Sequence, residues 1–186
     1  MDEPSRYLKG DWWKELDPIF ARRLAYAAKM TGNFISSSSA YRSTAEQTRL
    51  YNLYMQGKLK SAARPGTSWH EFRLAIDTSS QPIRSMTNAT LKAFGLCKPV
   101  AGEGWHIQPI ETLGKTNRTA FAPVDLTALV KTKFGLSDAT LEYMETHPYP
   151  VDLFSKLLNG EPLSESTIQF LRNYQFGADL LKKLGR

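Results

Sequence analysis

Apolar positions in the first part of the chain recur at two spacings. Asp17-Pro18 precedes Phe20, Leu24, Ala27 and Ala28, a stripe at helical spacing that Gly32 ends. An aspartate N-cap, a proline in the first turn and a glycine past the last one mark the start and stop of a helix. Phe34-Ile35 opens a short strand running into the serines Ser36 to Ser39. Ser43 and Glu46 have capping-box spacing, so a helix is expected there, with Leu50, Leu53 and Tyr54 on its inner face and Gly57 at its end. Leu74 and Ile76 alternate with Arg73, Ala75 and Asp77, which is strand periodicity. Residues 79–86 read as a loop, and Thr87 or Asn88 caps a short helix to Phe94. Leu96-Cys97 and Trp105 to Pro109 read as strands around a turn at 99–104, with His106 and Gln108 on one face. Residues 5–16 form a lead-in whose aromatic side chains are expected to pack on the domain.

The character then changes. Helices alone are predicted near 125–134, 138–146, 151–158 and 164–184, separated by Gly135, the His147 to Pro150 turn and Asn159-Gly160. This pattern predicts an α+β domain over 1–115, a linker over 116–123 and an all-α C-terminal module over 124–186.

Composition narrows the class. Hydrophobic residues make up 41% of the 186, enough for a core, and no apolar run is long enough to span a membrane. Cys97 is the single cysteine, so no internal disulfide forms, and its expected role is that of a small buried hydrophobe. Met1 to Pro4 is acidic and lacks an apolar core, so it does not read as a secretory signal. The net charge of +6 is uneven: residues 1–123 hold 17 Lys and Arg against 10 Asp and Glu, and residues 124–186 hold 7 against 8. The first part is drawn to polyanions, whether nucleic acid or an anionic cell wall.

Two segments carry candidate chemistry. Ser68-Trp69-His70 leads to Asp77 seven residues on, and Glu103-Gly104-Trp105-His106 comes later. Three metal-type ligands with a spare carboxylate are what a catalytic zinc site uses. An ideal strand puts residues seven apart on opposite faces, so His70 and Asp77 share a metal only if the chain bends between them. Glu103 and His106 likewise need the turn at Gly102 and Gly104 to converge. The third histidine, His147, sits among prolines and reads as structural.

Together with Ser39-Ala40-Tyr41-Arg42-Ser43 and Gln47, these segments resemble the zinc D-alanyl-D-alanine carboxypeptidases and L-alanyl-D-glutamate peptidases. This is the VanY-like group with the hedgehog/DD-peptidase fold, as found in phage endolysins. The resemblance covers roughly residues 34–110. It implies a small antiparallel sheet with flanking helices, and one zinc per chain held by His70, Asp77 and His106. It makes Glu103 the general base and Arg42 the group that binds and polarises the substrate carbonyl. Gln47, Ser68 and Trp105 are candidate substrate contacts, with Trp105 packing under the site. The implied substrate is a stem peptide of bacterial peptidoglycan, cut by a monomer without membrane insertion. The enzyme would stay in the cytoplasm until released to the wall, and the helical module would be a wall-binding element. Arg73 departs from the family, which usually has glycine there. Arginine tolerates positive φ poorly, so the loop between the ligands is expected to differ.

Two other readings compete. One is a non-catalytic zinc-containing wall-binding protein of the same fold, to which a retained Glu103 is unnecessary. The other is a nucleic-acid binder stacking bases on Trp12, Trp13 and Tyr41, for which no motif speaks.

Overall fold

A computed structural model describes residues 4–32, 34–115 and 123–186. The chain divides into two compact units, 2–123 and 124–186. The linker expected over 116–123 lies outside the described residues except for Pro123.

In the first unit, helix α1 (Pro18–Thr31) starts where its caps predict. The Asp17 carboxylate accepts from the amides of Ile19 and Phe20, and Gly32 closes the helix in the left-handed region. Its stripe forms the middle of the core: Phe20, Leu24, Ala27 and Ala28 are fully buried with Ile35, Ile76, Ile83, Leu91, Phe94, Leu96 and Ile107. Each large side chain of this kind contributes about 1.5–3 kcal/mol on burial. The lead-in differs from expectation. It is anchored by Leu8 and Leu16, both buried, while Trp12 and Trp13 are only half-buried. Leu8 forms a parallel bridge with Ile35.

Four short strands make one antiparallel sheet in the order β1-β2-β4-β3: β1 (Ser37–Ser39), β2 (Ile76–Thr78), β3 (Leu96–Cys97) and β4 (His106–Pro109). The expected strand at 73–77 shortens at its start because residues 69–73 form a turn. Serine hydroxyls tie these short strands together. Ser37 and Ser38 both donate to the Asp77 carbonyl, Thr78 Oγ1 donates to the Ser36 carbonyl, and Ser80 Oγ accepts from the Ser36 amide.

Helix α2 (Thr44–Met55) begins at Ser43, whose hydroxyl accepts from the Glu46 amide. The capping box is half-made, because Glu46 turns to Arg49 instead of back to Ser43. The predicted inner face is also wrong. Gln47 is the buried residue of α2, while Leu50 and Leu53 are half-buried and Tyr54 is exposed. The segment read as a loop holds α3 (Gln81–Ser85), started by Pro82, and it packs on α1. Helix α4 (Asn88–Lys92) is capped by the Thr87 hydroxyl. Just past β4, Thr112 is buried and Glu111 is tied to the core. Buried Arg23 donates to the Gly95 carbonyl and grips Glu111 at 2.6 Å through both terminal nitrogens.

The second unit has five helices among the described residues: α5 (Leu126–Phe134), α6 (Asp138–Met144), α7 (Pro150–Asn159), α8 (Glu165–Arg172) and α9 (Gly177–Lys183). Val130, Leu141, Met144, Leu153, Phe154, Leu157, Leu171 and Leu180 form its core. The single helix expected over 164–184 is broken at 173–176. A Cβ on Gly177 would lie on the Arg172 backbone, so glycine permits this sharp corner. Tyr143 stacks between Phe170 and Tyr174, each 4.7 Å away, and its hydroxyl donates to the Phe170 carbonyl. His147 keeps the structural place expected of it: Nδ1 accepts from the Tyr149 amide and the ring meets Phe170 edge-on.

Cys97 is buried, and that burial pushes its thiol up to about 11. The neutral thiol is a poor nucleophile. The folded protein is therefore expected to resist iodoacetamide at neutral pH and to be labelled rapidly in denaturant. Rapid labelling of the folded form would contradict this packing.

Candidate metal centre

The turn at 69–73 supplies the bend that the seven-residue spacing requires. The amides of Phe72 and Leu74 both donate to the Trp69 carbonyl, and the Arg73 amide donates to the His70 carbonyl. Arg73 closes the turn at φ +63, so the positive φ is present although the residue is not glycine. An arginine there is strained by roughly 1–2 kcal/mol. Its contacts offset this: Nη1 donates to the Glu15 carbonyl at 2.6 Å, and the guanidinium lies 4.4 Å from the Tyr41 ring centroid. Side-chain contacts thus hold a glycine-like backbone at an arginine.

Strand pairing brings in the rest. Asp77 on β2 stands opposite His106 on β4, with Ile76 opposite Ile107. Asp77 Oδ1 is 3.0 Å from His106 Nδ1, and Oδ2 is 3.5 Å from His70 Nε2. The two rings meet edge to face at 5.1 Å. Donor atoms of His70, Asp77 and His106 all lie within 4.8 Å of one another, a possible metal site. The His70 ring is held from behind, where Nδ1 donates to the Ala40 carbonyl at 2.7 Å. A carbonyl can only accept, so Nδ1 carries a proton and Nε2 is the nitrogen that faces Asp77. Burial alone would push Asp77 up, but hydrogen bonds and charge from His106 and His70 hold it well below the usual carboxylate range. Asp77 therefore stays ionised beside two imidazoles.

Arg42 sits at the β1–α2 junction, as its sequence position predicts. Nη1 donates to Gln47 Oε1 at 2.7 Å and Nη2 to Ser39 Oγ at 2.9 Å, with Asp77 Oδ2 3.6 Å away. A bulge in β1 between Ser37 and Ser39 sets that serine against Arg42. Gln47 does not reach the cleft. It is fully buried, and its amide nitrogen donates to the Ala63 carbonyl. The expected substrate contact is instead a brace behind Arg42, because both ends of its amide are taken up inside the protein.

The three candidate ligands open into a cleft of about 590 Å³ that Arg42, Ser68, Glu103 and Trp105 also line. Glu103 is placed by a turn in which its amide donates to the Val100 carbonyl and its carbonyl accepts from the His106 amide. Gly102 makes that turn at φ +81. Trp105 is 39% exposed and forms a wall of the cleft, so it does not pack under the site as expected. Sequence reasoning missed the opposite wall, Leu50, Tyr54, Leu59 and Val100. Leu59, an apolar residue between Lys58 and Lys60, was its one sign. It also missed Thr112 and treated Gln108 only as a neighbour of His106 on β4.

Residues 18–101 match the family model for VanY, D-alanyl-D-alanine carboxypeptidase. Over this segment the chain is similar to the VanY peptidase family. No curated protein and no solved structure matched the chain. The VanY match includes Arg42, His70 and Asp77 and ends just before Glu103, so strand pairing within the same unit supplies His106.

Arg73→Gly and Arg73→Ala both remove the contacts to Tyr41 and Glu15, but only glycine relieves the left-handed backbone. The glycine variant is expected to be the more stable of the two by about 1 kcal/mol in urea unfolding. Equal stability would mean that position 73 carries no strain.

Proposed function

We propose that the first unit is a zinc peptidase of the hedgehog/DD-peptidase fold, cutting a peptide bond in peptidoglycan stem peptides. The observation that carries this reading is the convergence of His70, Asp77 and His106 at the floor of a cleft, in a chain similar to the VanY peptidase family. The donor set fits the metal. Tetrahedral zinc with bonds of about 2.0 Å sets its donors roughly 3.3 Å apart, and the histidine–aspartate separations are 3.0 and 3.5 Å. Two imidazoles and one carboxylate leave a fourth position open.

A bound zinc supplies Lewis acidity, making water ionise near neutral pH and polarising a carbonyl. The chain's own groups do the rest. Glu103 is the base that takes the proton of the attacking water and returns it to the leaving amine. Arg42 donates to the carbonyl oxygen as it gains negative charge, and Gln47 and Ser39 hold the guanidinium for that task. Ser68 and Trp105 border the substrate path.

Within this reading, the shape of the cleft favours an endopeptidase. A second groove, lined by Trp12, Glu15, Tyr41 and Glu46, shares Arg42 and Leu50 with the first. A chain lying across Arg42 therefore has room on both sides of the scissile bond. Arg42 is the one cationic side chain lining the first cleft among the described residues, so a free terminal carboxylate would have to compete for it. Endolysin action at the wall, with the 124–186 module as a wall-binding element, completes the proposal.

Glu103→Ala is expected to keep zinc and lose about a hundredfold or more in kcat. The assay is mass spectrometry of products from purified peptidoglycan, with zinc measured in parallel. Wild-type turnover in this variant would remove Glu103 from the mechanism. His106→Ala is expected to lose zinc and activity together. Full zinc occupancy there would remove His106 from the ligand set.

A further inference from the structure

Behind His106 lies a buried polar chain that the proposed chemistry does not use. Gln108, two residues along β4 on the same face, is buried, and so is Thr112. Gln108 Nε2 is 2.6 Å from His106 Nε2. Thr112 Oγ1 is 2.7 Å from Gln108 Oε1 and 2.7 Å from the Pro109 carbonyl oxygen.

With this amide orientation the hydrogen-bond count does not close. Thr112 has one hydroxyl proton and two facing acceptors, so one oxygen is left against another oxygen without a proton between them. His106 Nε2 would accept from the Gln108 amide. A neutral ring would then carry its proton on Nδ1, the nitrogen that faces Asp77. That proton would occupy the position the metal needs.

A half-turn of the amide exchanges its oxygen and nitrogen and moves nothing else. With His106 Nδ1 given over to a metal instead of a proton, all three contacts behind the ring would then be satisfied. Thr112 donates to the Pro109 carbonyl, Gln108 Nε2 donates to Thr112 Oγ1, and His106 Nε2–H donates to Gln108 Oε1. An unmade hydrogen bond inside a buried network is costly, so a His106 that offers Nδ1 to a metal favours the closed arrangement.

We infer that Gln108, oriented by Thr112, is a positioning residue that keeps the proton of His106 on Nε2 and so presents Nδ1 to the metal. This rests on the reading of His106 as a ligand. It gives the two histidines opposite polarity. His70 is held through Nδ1 by Ala40 and offers Nε2, whereas His106 is held through Nε2 and offers Nδ1.

Multiple-bond proton–nitrogen correlation spectra separate the two ring nitrogens of His106. In the zinc-loaded wild type, Nε2 is expected to be protonated and Nδ1 to carry no proton. A bare Nε2 would overturn the inference, and this measurement needs no variant. Zinc titration by calorimetry then compares wild type with Gln108→Glu and Gln108→Leu, with thermal melts to establish folding. Glutamate keeps an acceptor for the Nε2–H and should retain near-wild-type affinity. Leucine should weaken zinc binding about ten- to hundredfold. Unchanged affinity in a folded Gln108→Leu protein would also overturn the inference. A wild type that binds no zinc would instead defeat the metal reading on which the inference rests.

Discussion

The site depends first on the register between β2 and β4. Asp77 faces His106 because Ile76 faces Ile107, and both isoleucines are fully buried. Side chains alternate along a strand, so a slip of one residue would turn His106 into the core and Ile107 into the cleft. Burial of two large aliphatic side chains opposes that slip by a few kcal/mol. The hydrophobic core thus determines which polar atoms meet.

Around that register the protein braces three candidate site residues from behind. Ala40 holds His70, Gln47 and Ser39 hold Arg42, and Gln108 with Thr112 holds His106. Such braces act on geometry, because a ligand or donor displaced by a fraction of an ångström loses most of its effect. Arg73 shows how far the arrangement is maintained. Its backbone takes a conformation suited to glycine, and a cation–π contact with Tyr41 and a bond to Glu15 offset the strain.

The cleft explains residues that look misplaced by packing rules alone. Tyr54, Leu59, Val100 and Trp105 are large, apolar and substantially exposed, and all four line the same cavity as the candidate ligands. Apolar walls exclude water and strengthen interactions between the charged groups at the floor. Leu59, flanked by Lys58 and Lys60, is therefore part of a wall.

Much of this was legible in the sequence because it is local. Caps at Asp17, Ser43 and Thr87 act within one turn, so the helix starts could be read directly. The candidate ligands stood out by residue type and spacing, and the change from mixed to all-helical pattern predicted a domain over 1–115, a linker over 116–123 and a module over 124–186, while the compact units are 2–123 and 124–186. What sequence could not decide involves partners distant along the chain. Gln47 looked like a substrate contact until the Ala63 carbonyl, sixteen residues on, took its amide. The helix expected over 164–184 turns a corner because Gly177 can lie against the Arg172 backbone, which periodicity does not register. Arg73 took a glycine's conformation because Glu15 and Tyr41, far apart in sequence, reach it together. Periodicity and capping report energies of neighbouring residues, whereas the position of a buried amide or a strained turn is set by groups that only folding brings within hydrogen-bond distance.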